Sequence, residues 1–203
     1  KLEEMIATLE LPPGAVLSEA QLIAALDIGR TPIREALQRL AVEGLVEILP
    51  RKGVLVSDTN PQKQLLLLEV RRELDRLMAR TGAVRAGTDE REQFKAIADN
   101  MEATATARDG VAFMRHDVKF NALLAAACHN EYAKRAMRLI NGLSRRFWFM
   151  HFQRSADLPL CARLHANMAR AIGAGDPEGA AIAADALVDY VEIFTRATID
   201  IAP

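Results

Sequence analysis

The sequence has 203 residues, half of them hydrophobic, with 26 Lys and Arg against 27 Asp and Glu. That length fits one large or two small domains with ordinary apolar cores. A net charge of −1 and a pI near 6.5 exclude a chain that attracts nucleic acid through bulk charge. The longest apolar stretches are cut by Glu69, Asp176 and Glu178, which excludes a membrane-spanning helix.

Residues 2–9 read as a first helix, ended by Pro12-Pro13-Gly14. Ser18 with Gln21 three residues on marks the next helix start, because each side chain can satisfy a backbone N–H of the other's turn. Leu22, Ile23, Ala25 and Leu26 give that helix an apolar face, and Asp27-Ile28-Gly29 breaks it, with Gly29 expected in backbone angles closed to most residues. Thr31-Pro32 reads as an N-cap followed by proline at the first helical position. In the helix that follows, Ile33, Leu37 and Leu40 face inward, while Arg30 and Arg34 are four apart and share an outward face. Two short strands come next, 45–49 and 54–56, around Pro50-Arg51-Lys52-Gly53, a basic tip ending in glycine. Helix, tight turn, helix and basic hairpin make a winged helix-turn-helix.

Such a helix enters the major groove with its first residues toward the base edges, where arginine can bond guanine O6 and N7 together. Thr31 and the free amides at the helix start suit phosphates, and Arg51, Lys52 and Gly53 can reach backbone or minor groove. Residues 1–58 carry six basic against nine acidic side chains, so attraction to DNA has to come from the local patch at 30–53, with five against three. The stretch GRTPIREALQRLAVEGLVEILPRKGVLV, preceded by PPGAVLSEAQL, resembles the DNA-binding domain of the GntR family of bacterial transcription regulators. The resemblance implies that Arg30, Thr31 and Arg34 contact DNA and that Gly53 sits at the wing tip. The sequence departs from the family at Gly29, where Ser or Thr is common, and at Ala20, where some members carry arginine.

Asp58-Thr59-Asn60-Pro61 reads as a linker. Beyond it the pattern changes to long helices near 62–86, 89–107, 110–128, 131–154, 158–174 and 177–200. Their starts are marked by Thr88, Asp109, Asp157 with Pro159, and Asp176-Pro177. Cys128 and Cys161 lie within helical patterns and read as buried free thiols. Phe147-Trp148-Phe149-Met150 with Phe152 forms an aromatic cluster suited to core, dimer or pocket packing, and Arg145 and Arg146 before it can face ligand or solvent.

A bundle of six helices can enclose a polar pocket. Asp117 and Asn121 are four apart on one side of their helix, and His165 begins the inward stripe of a later one. A carboxylate and a neutral imidazole converging from two helices suit zinc, nickel or manganese. The segments EVRRELDRLMA, DVKFNALLAAACHN and LHANMARAIGAGDPEGAAIAA resemble the all-helical effector (FCD) domain of the FadR branch of the same family. There the resemblance implies a divalent metal held by an Asp, a His four residues later, and two more histidines. Asp117 and His165 match the first and third positions, Asn121 replaces the second, and the fourth falls on or near Leu187, with Tyr190 one turn on. The alternative is a metal-free pocket in which Asp117, Asn121, His165 and Tyr190 meet an effector directly. Arg71 matches the arginine that the family turns toward its ligand, and it is equally placed as an i,i+4 partner of Asp75.

The expected protein is therefore mainly α, with a winged helix-turn-helix over 1–58, a linker at 59–61, and an all-helical effector-binding and dimerisation domain over 62–203. It is expected to be a cytoplasmic, ligand-responsive DNA-binding regulator rather than an enzyme. Its expected partners are a double-stranded DNA operator of near-palindromic sequence, a second copy of itself, and a small organic acid or related metabolite. Two rivals stand beside it: a constitutive DNA-binding dimer with a decayed pocket, and a metal-assisted hydrolase or lyase centred on Asp117 and His165.

Overall fold

The computed structural model describes residues 1–199, the side chains of 154 and 155 excepted. Position 200, where the sequence reading ends the last helix, lies outside them. The chain divides into two compact units, one of residues 1–64 with 138–153, the other of residues 65–137 with 154–203.

The first unit opens with helix α1 (Leu2–Ala7), strand β1 (Val16–Leu17) and helix α2 (Glu19–Leu26). The reciprocal cap at the start of α2 is formed: Gln21 N donates to Ser18 Oγ at 3.1 Å, and Ser18 N donates to Gln21 Oε1 at 3.3 Å. At its end the left-handed residue is Asp27, with φ +53°, whereas Gly29 takes an ordinary extended conformation with φ −61°. Helix α3 (Arg30–Val42) is capped by Gly29, so Thr31 is not the N-cap but lies in the first turn. Ile33, Leu37 and Leu40 are buried as the spacing predicts.

Strands β2 (Val46–Leu49) and β3 (Gly53–Val56) make the antiparallel wing. The sequence reading did not include β1, which completes a three-stranded sheet in the order β1-β3-β2. Val16 faces Leu55 and Leu17 faces Val54 in this added pairing. Leu17, Leu22, Leu26, Ile33, Leu37, Leu40, Val54 and Val56 share one apolar core with Leu2 and Ile6 of α1. Fully burying such a side chain stabilises by about 1.5–3 kcal/mol, so these residues hold α3 against the sheet.

Six helices follow: α4 (Pro61–Arg85), α5 (Thr88–Ala107), α6 (Gly110–Ala127), α7 (Glu131–Ser155), α8 (Leu158–Ala174) and α9 (Pro177–Ile199). The acidic caps act as read, with Asp109 accepting from Ala112 N and Asp157 from Leu160 N. Helix α5 begins one residue earlier than the Thr88 signal implies: Gly87 is its N-cap and Glu90 accepts from Gly87 N at 2.9 Å.

Residues 138–153 of α7 belong to the first unit. There Arg146 is 1% exposed and donates to the carbonyls of Ser57 at 2.8 Å, Asp58 at 3.3 Å and Leu45 at 3.4 Å. Arg145 pairs with Glu4 at 3.0 Å. These two arginines therefore face the head's own backbone and first helix, not solvent. In the same segment Trp148 stacks on Phe152 with ring centroids 4.8 Å apart.

In the second unit α8 lies among α5, α6 and α9. Its small residues Ala162, Ala166, Ala169 and Gly173 are buried and permit close approach. A Cβ on Gly173 would lie 3.1 Å from the Arg91 carbonyl of α5. Arg76 of α4 grips Asp185 of α9 through Nε at 3.1 Å and Nη2 at 2.8 Å. Cys128 and Cys161 are both free and buried. Among the described residues, no helix is long and apolar enough to cross a membrane.

Candidate functional site

The exposed start of α3 carries the first set of candidate residues. Arg30, Thr31 and Arg34 are all solvent-exposed. With Gly29 as cap, the amides of Arg30 and Thr31 have no acceptor within the helix, Pro32 has no N–H, and Ile33 N already bonds Gly29 O. Two amides without helical acceptors, beside the exposed Thr31 side chain, thus lie at the positive end of the helix dipole, a geometry that suits a phosphate oxygen. Arg34 is held from the neighbouring helix, its Nε lying 2.9 Å from each carboxylate oxygen of Glu19.

The wing turn places Arg51 and Lys52 in solvent, with Arg51 itself left-handed at φ +63°. Gly53 follows at φ +102°, and a Cβ there would lie 2.6 Å from the Leu17 carbonyl of β1. Close packing of the wing against β1 is thus sufficient reason for this glycine.

The second set lies in the helical unit. His165 of α8 and Asp117 of α6 are both buried, with Nε2 and Oδ1 3.3 Å apart. Asn121 donates its amide to the same Asp117 oxygen at 2.8 Å and to the Asp117 carbonyl at 2.9 Å. His165 Nδ1 lies 2.9 Å from the carbonyl of Cys161, one turn back on α8. A carbonyl can only accept, so Nδ1 carries a proton, and the carboxylate facing Nε2 calls for a second. Burial opposes the charge, but the neighbouring Cys161 and the bond to Asp117 outweigh it and push the imidazole up to about 10. Phe113 and Phe120 stand edge-on to the ring, with centroids 5.3 Å and 5.8 Å away.

Arg71 of α4 donates from Nε to Asp75 at 2.9 Å, with side-chain exposures of 12% and 4%. The i,i+4 pairing with Asp75 is present, yet it is a part-buried pair rather than a surface one. Burial disfavours the guanidinium charge, but Asp75 and then Asp117 hold its pKa above the ordinary arginine value. Tyr190 of α9 donates to the Asp157 carbonyl at 3.1 Å, and burial, with the nearby Cys161, pushes its phenol up. Cys161 and Asp75 are members of this cluster that the sequence reading did not count among the pocket residues. The four-residue spacing of Cys161 and His165 was the available signal.

The metal expected at Asp117 and His165, whether zinc, nickel or manganese, does not fit this arrangement. Only Asp117 and His165 offer donors here, two where a catalytic metal takes about three protein ligands and a structural one about four. Asn121 turns its amide nitrogen, not its oxygen, toward Asp117, and Leu187, near the fourth expected position, is a buried hydrocarbon. Among the described residues no group of three or more His, Cys, Asp or Glu is placed to hold a metal ion. The metal-assisted enzyme loses its chemical basis with that donor set.

A recognition helix beside a basic wing, in a chain with a separate helical unit, defines a winged-helix DNA-binding regulator. Residues 1–56 match the model for bacterial regulatory proteins of the gntR family, and residues 66–190 match the FCD domain. The chain belongs to the GntR family of bacterial regulatory proteins and carries an FCD domain. It is 51% identical over 63 residues to an HTH-type transcriptional regulator from an unstable DNA locus of Streptomyces ambofaciens, covering 31% of this chain and 27% of that one. It is 28% identical over 195 residues to a "Probable D-xylose utilization operon transcriptional repressor" of Paenarthrobacter nicotinovorans, covering 95% and 83%. The solved structure of E. coli McbR/YncC superposes with a TM-score of 0.78 at 16% identity, covering 98% of this chain and 92% of that one. That last likeness is one of fold.

Proposed function

We propose that this regulator, of the FadR branch, acts as a homodimer in the cytoplasm whose two heads read half-sites of a near-palindromic operator. Residues 1–58 are the DNA-binding domain, 59–61 the linker, and 62–203 the effector-binding and dimerisation domain. Arg34 meets a base edge, Arg30 and Thr31 meet phosphates with the two free amides of α3, and Arg51, Lys52 and Gly53 bring the wing to the DNA. The observation that carries this reading is the exposed α3 start, whose outward donors outnumber their protein partners. The dimer has separate support in α4, where Val70, Leu77 and Val84 recur every seven residues and are 55%, 42% and 65% exposed.

The effector is a small carboxylic acid or related metabolite, and Arg71, Asp117, Asn121, His165 and Tyr190 form its site. A half-buried cation, Arg71, and a buried one, His165, support an anionic ligand that exchanges for their present carboxylate partners. The D-xylose relative offers a precedent for control of a metabolic operon.

Selection of bound duplexes from a random pool with the full chain tests the proposal. The expected result is a two-fold symmetric sequence, with Arg34→Ala losing about 1–3 kcal/mol of base discrimination at one position per half-site. Enrichment of an asymmetric site, or none, would sink it.

A further inference from the structure

The ion pair between Glu19 and Arg34 joins the first residue of α2 to the outward face of α3. Both carboxylate oxygens sit 2.9 Å from the same nitrogen, Nε. Among the described residues, no acceptor is bonded to Nη1 or Nη2 of Arg34. A guanidinium has five donors in a fixed planar fork, and a guanine edge takes two parallel ones. With Nε committed to Glu19, the pair left for a base is the terminal one, Nη1 with Nη2, presented end-on. Arg30, four residues back on the same face, has no such brace among the described residues.

We propose that Glu19 is a positioning residue that sets base specificity by bracing Arg34 for end-on recognition of a guanine. The proposal rests on the reading of Arg34 as a base contact and adds to it a second, acidic determinant on another helix. A free arginine has many rotamers and can follow either a phosphate or a base. A braced one has surrendered that freedom before DNA arrives, so its donors reward one arrangement of acceptors and no other. The carboxylate also has a cost. It is 35% exposed on the face that meets DNA, and there it repels phosphates whatever the sequence. Glu19 therefore lowers affinity for any duplex while raising the preference for the right one. This suits a head whose residues 1–58 hold nine acidic against six basic side chains and which has little bulk attraction to lose.

The test uses the full chain with Glu19→Gln, Glu19→Asp, Arg34→Ala and the Glu19→Gln/Arg34→Ala double variant. Each is measured on the duplex selected by the wild type and on a scrambled duplex at one fixed salt concentration. A ratio of affinities is insensitive to the fraction of protein that is folded. Glu19→Gln is expected to lower the selected-to-scrambled ratio about tenfold, with scrambled binding equal or tighter. Its loss of preference falls at the position that Arg34→Ala flattens, Glu19→Asp retains part of it, and Glu19→Gln adds nothing further once Arg34 is alanine. An unchanged ratio in Glu19→Gln, or an equal loss on both duplexes, overturns the brace and leaves Arg34 as the reader. If Arg34→Ala itself flattens no position, the base contact fails and the brace fails with it.

Discussion

Arg146 offers the sharpest test of how the head is held together. Its side chain is among the largest fully buried ones, and its guanidinium spans three carbonyls, Leu45 at the entry to the wing and Ser57 and Asp58 at its exit. Replacing it by methionine keeps most of the volume and removes every donor. The three acceptors do not suffer equally. Leu45 O keeps its bond from Ser57 N at 3.1 Å, and Asp58 is exposed, so its carbonyl finds water. Ser57 O, bonded at 2.8 Å, is the acceptor that loses a charge-assisted partner. Leaving such a group unpaired costs about 1–3 kcal/mol. An offset comes from the buried Nε, which has no hydrogen-bond partner among the described residues, and from a charge whose burial already lowers the arginine pKa. The expected destabilisation by Arg146→Met is therefore about 2 kcal/mol. The sequence contains one tryptophan, Trp148, two residues along the same helix and buried, so its fluorescence in a urea titration reports this unit directly. With a slope of about 1–3 kcal/mol/M, the midpoint should fall by roughly 1 M. An unchanged or raised midpoint would show that the guanidinium is not a strut, and that its desolvation outweighs its three bonds.

Further outcomes follow from the two sites. His165 should carry protons on both ring nitrogens at neutral pH, visible as two N–H-type nitrogen shifts in an imidazole-selective NMR spectrum. Because its folded-state value of about 10 lies above the ordinary imidazole value of about 6.5, the pair with Asp117 contributes fully below pH 6.5 and is lost as pH rises toward 10. An imidazole titrating at its ordinary value would refute the doubly protonated ring. Gly53→Ala should lower the same Trp148-monitored midpoint, by about 1–3 kcal/mol in stability, since φ is +102° and the new Cβ meets the Leu17 carbonyl. A neutral result there would mean that the wing turn relaxes freely and that the glycine is not demanded by β1.

The elements legible in the sequence are those whose cause is local. Ser18 and Gln21 satisfy each other within one turn, and Asp109 and Asp157 each cap the helix that they precede, so these starts can be read without knowing the fold. At the start of α3 two local signals compete. Thr31-Pro32 looks like a cap and its proline, yet Gly29 ends the break first, and the left-handed angle falls on Asp27. Strand β1 has two residues and exists through its pairing with β3 some forty positions away, which no local pattern announces.

The candidate site divides along the same line. Helical spacing places Asp117, Asn121 and His165 on inward faces, and they do converge. Spacing cannot say what each atom faces, and that decides the chemistry. The Cys161 carbonyl at Nδ1 and the Asp117 carboxylate at Nε2 convert a residue read as a neutral metal ligand into a buried cation. Arg71 stands beside Asp75 in the same low-dielectric surroundings, so the cluster brings together two positive and two negative groups where the metal reading has one divalent ion. On the proposed effector reading, an anion that takes the place of Asp75 or Asp117 releases that carboxylate from its cation. The released carboxylate must then move or take up a proton, since a buried unpaired charge costs several kcal/mol. On that reading binding would be coupled to a local rearrangement of α4 or α6, which is what a ligand must achieve if it is to favour one state of a regulator over another.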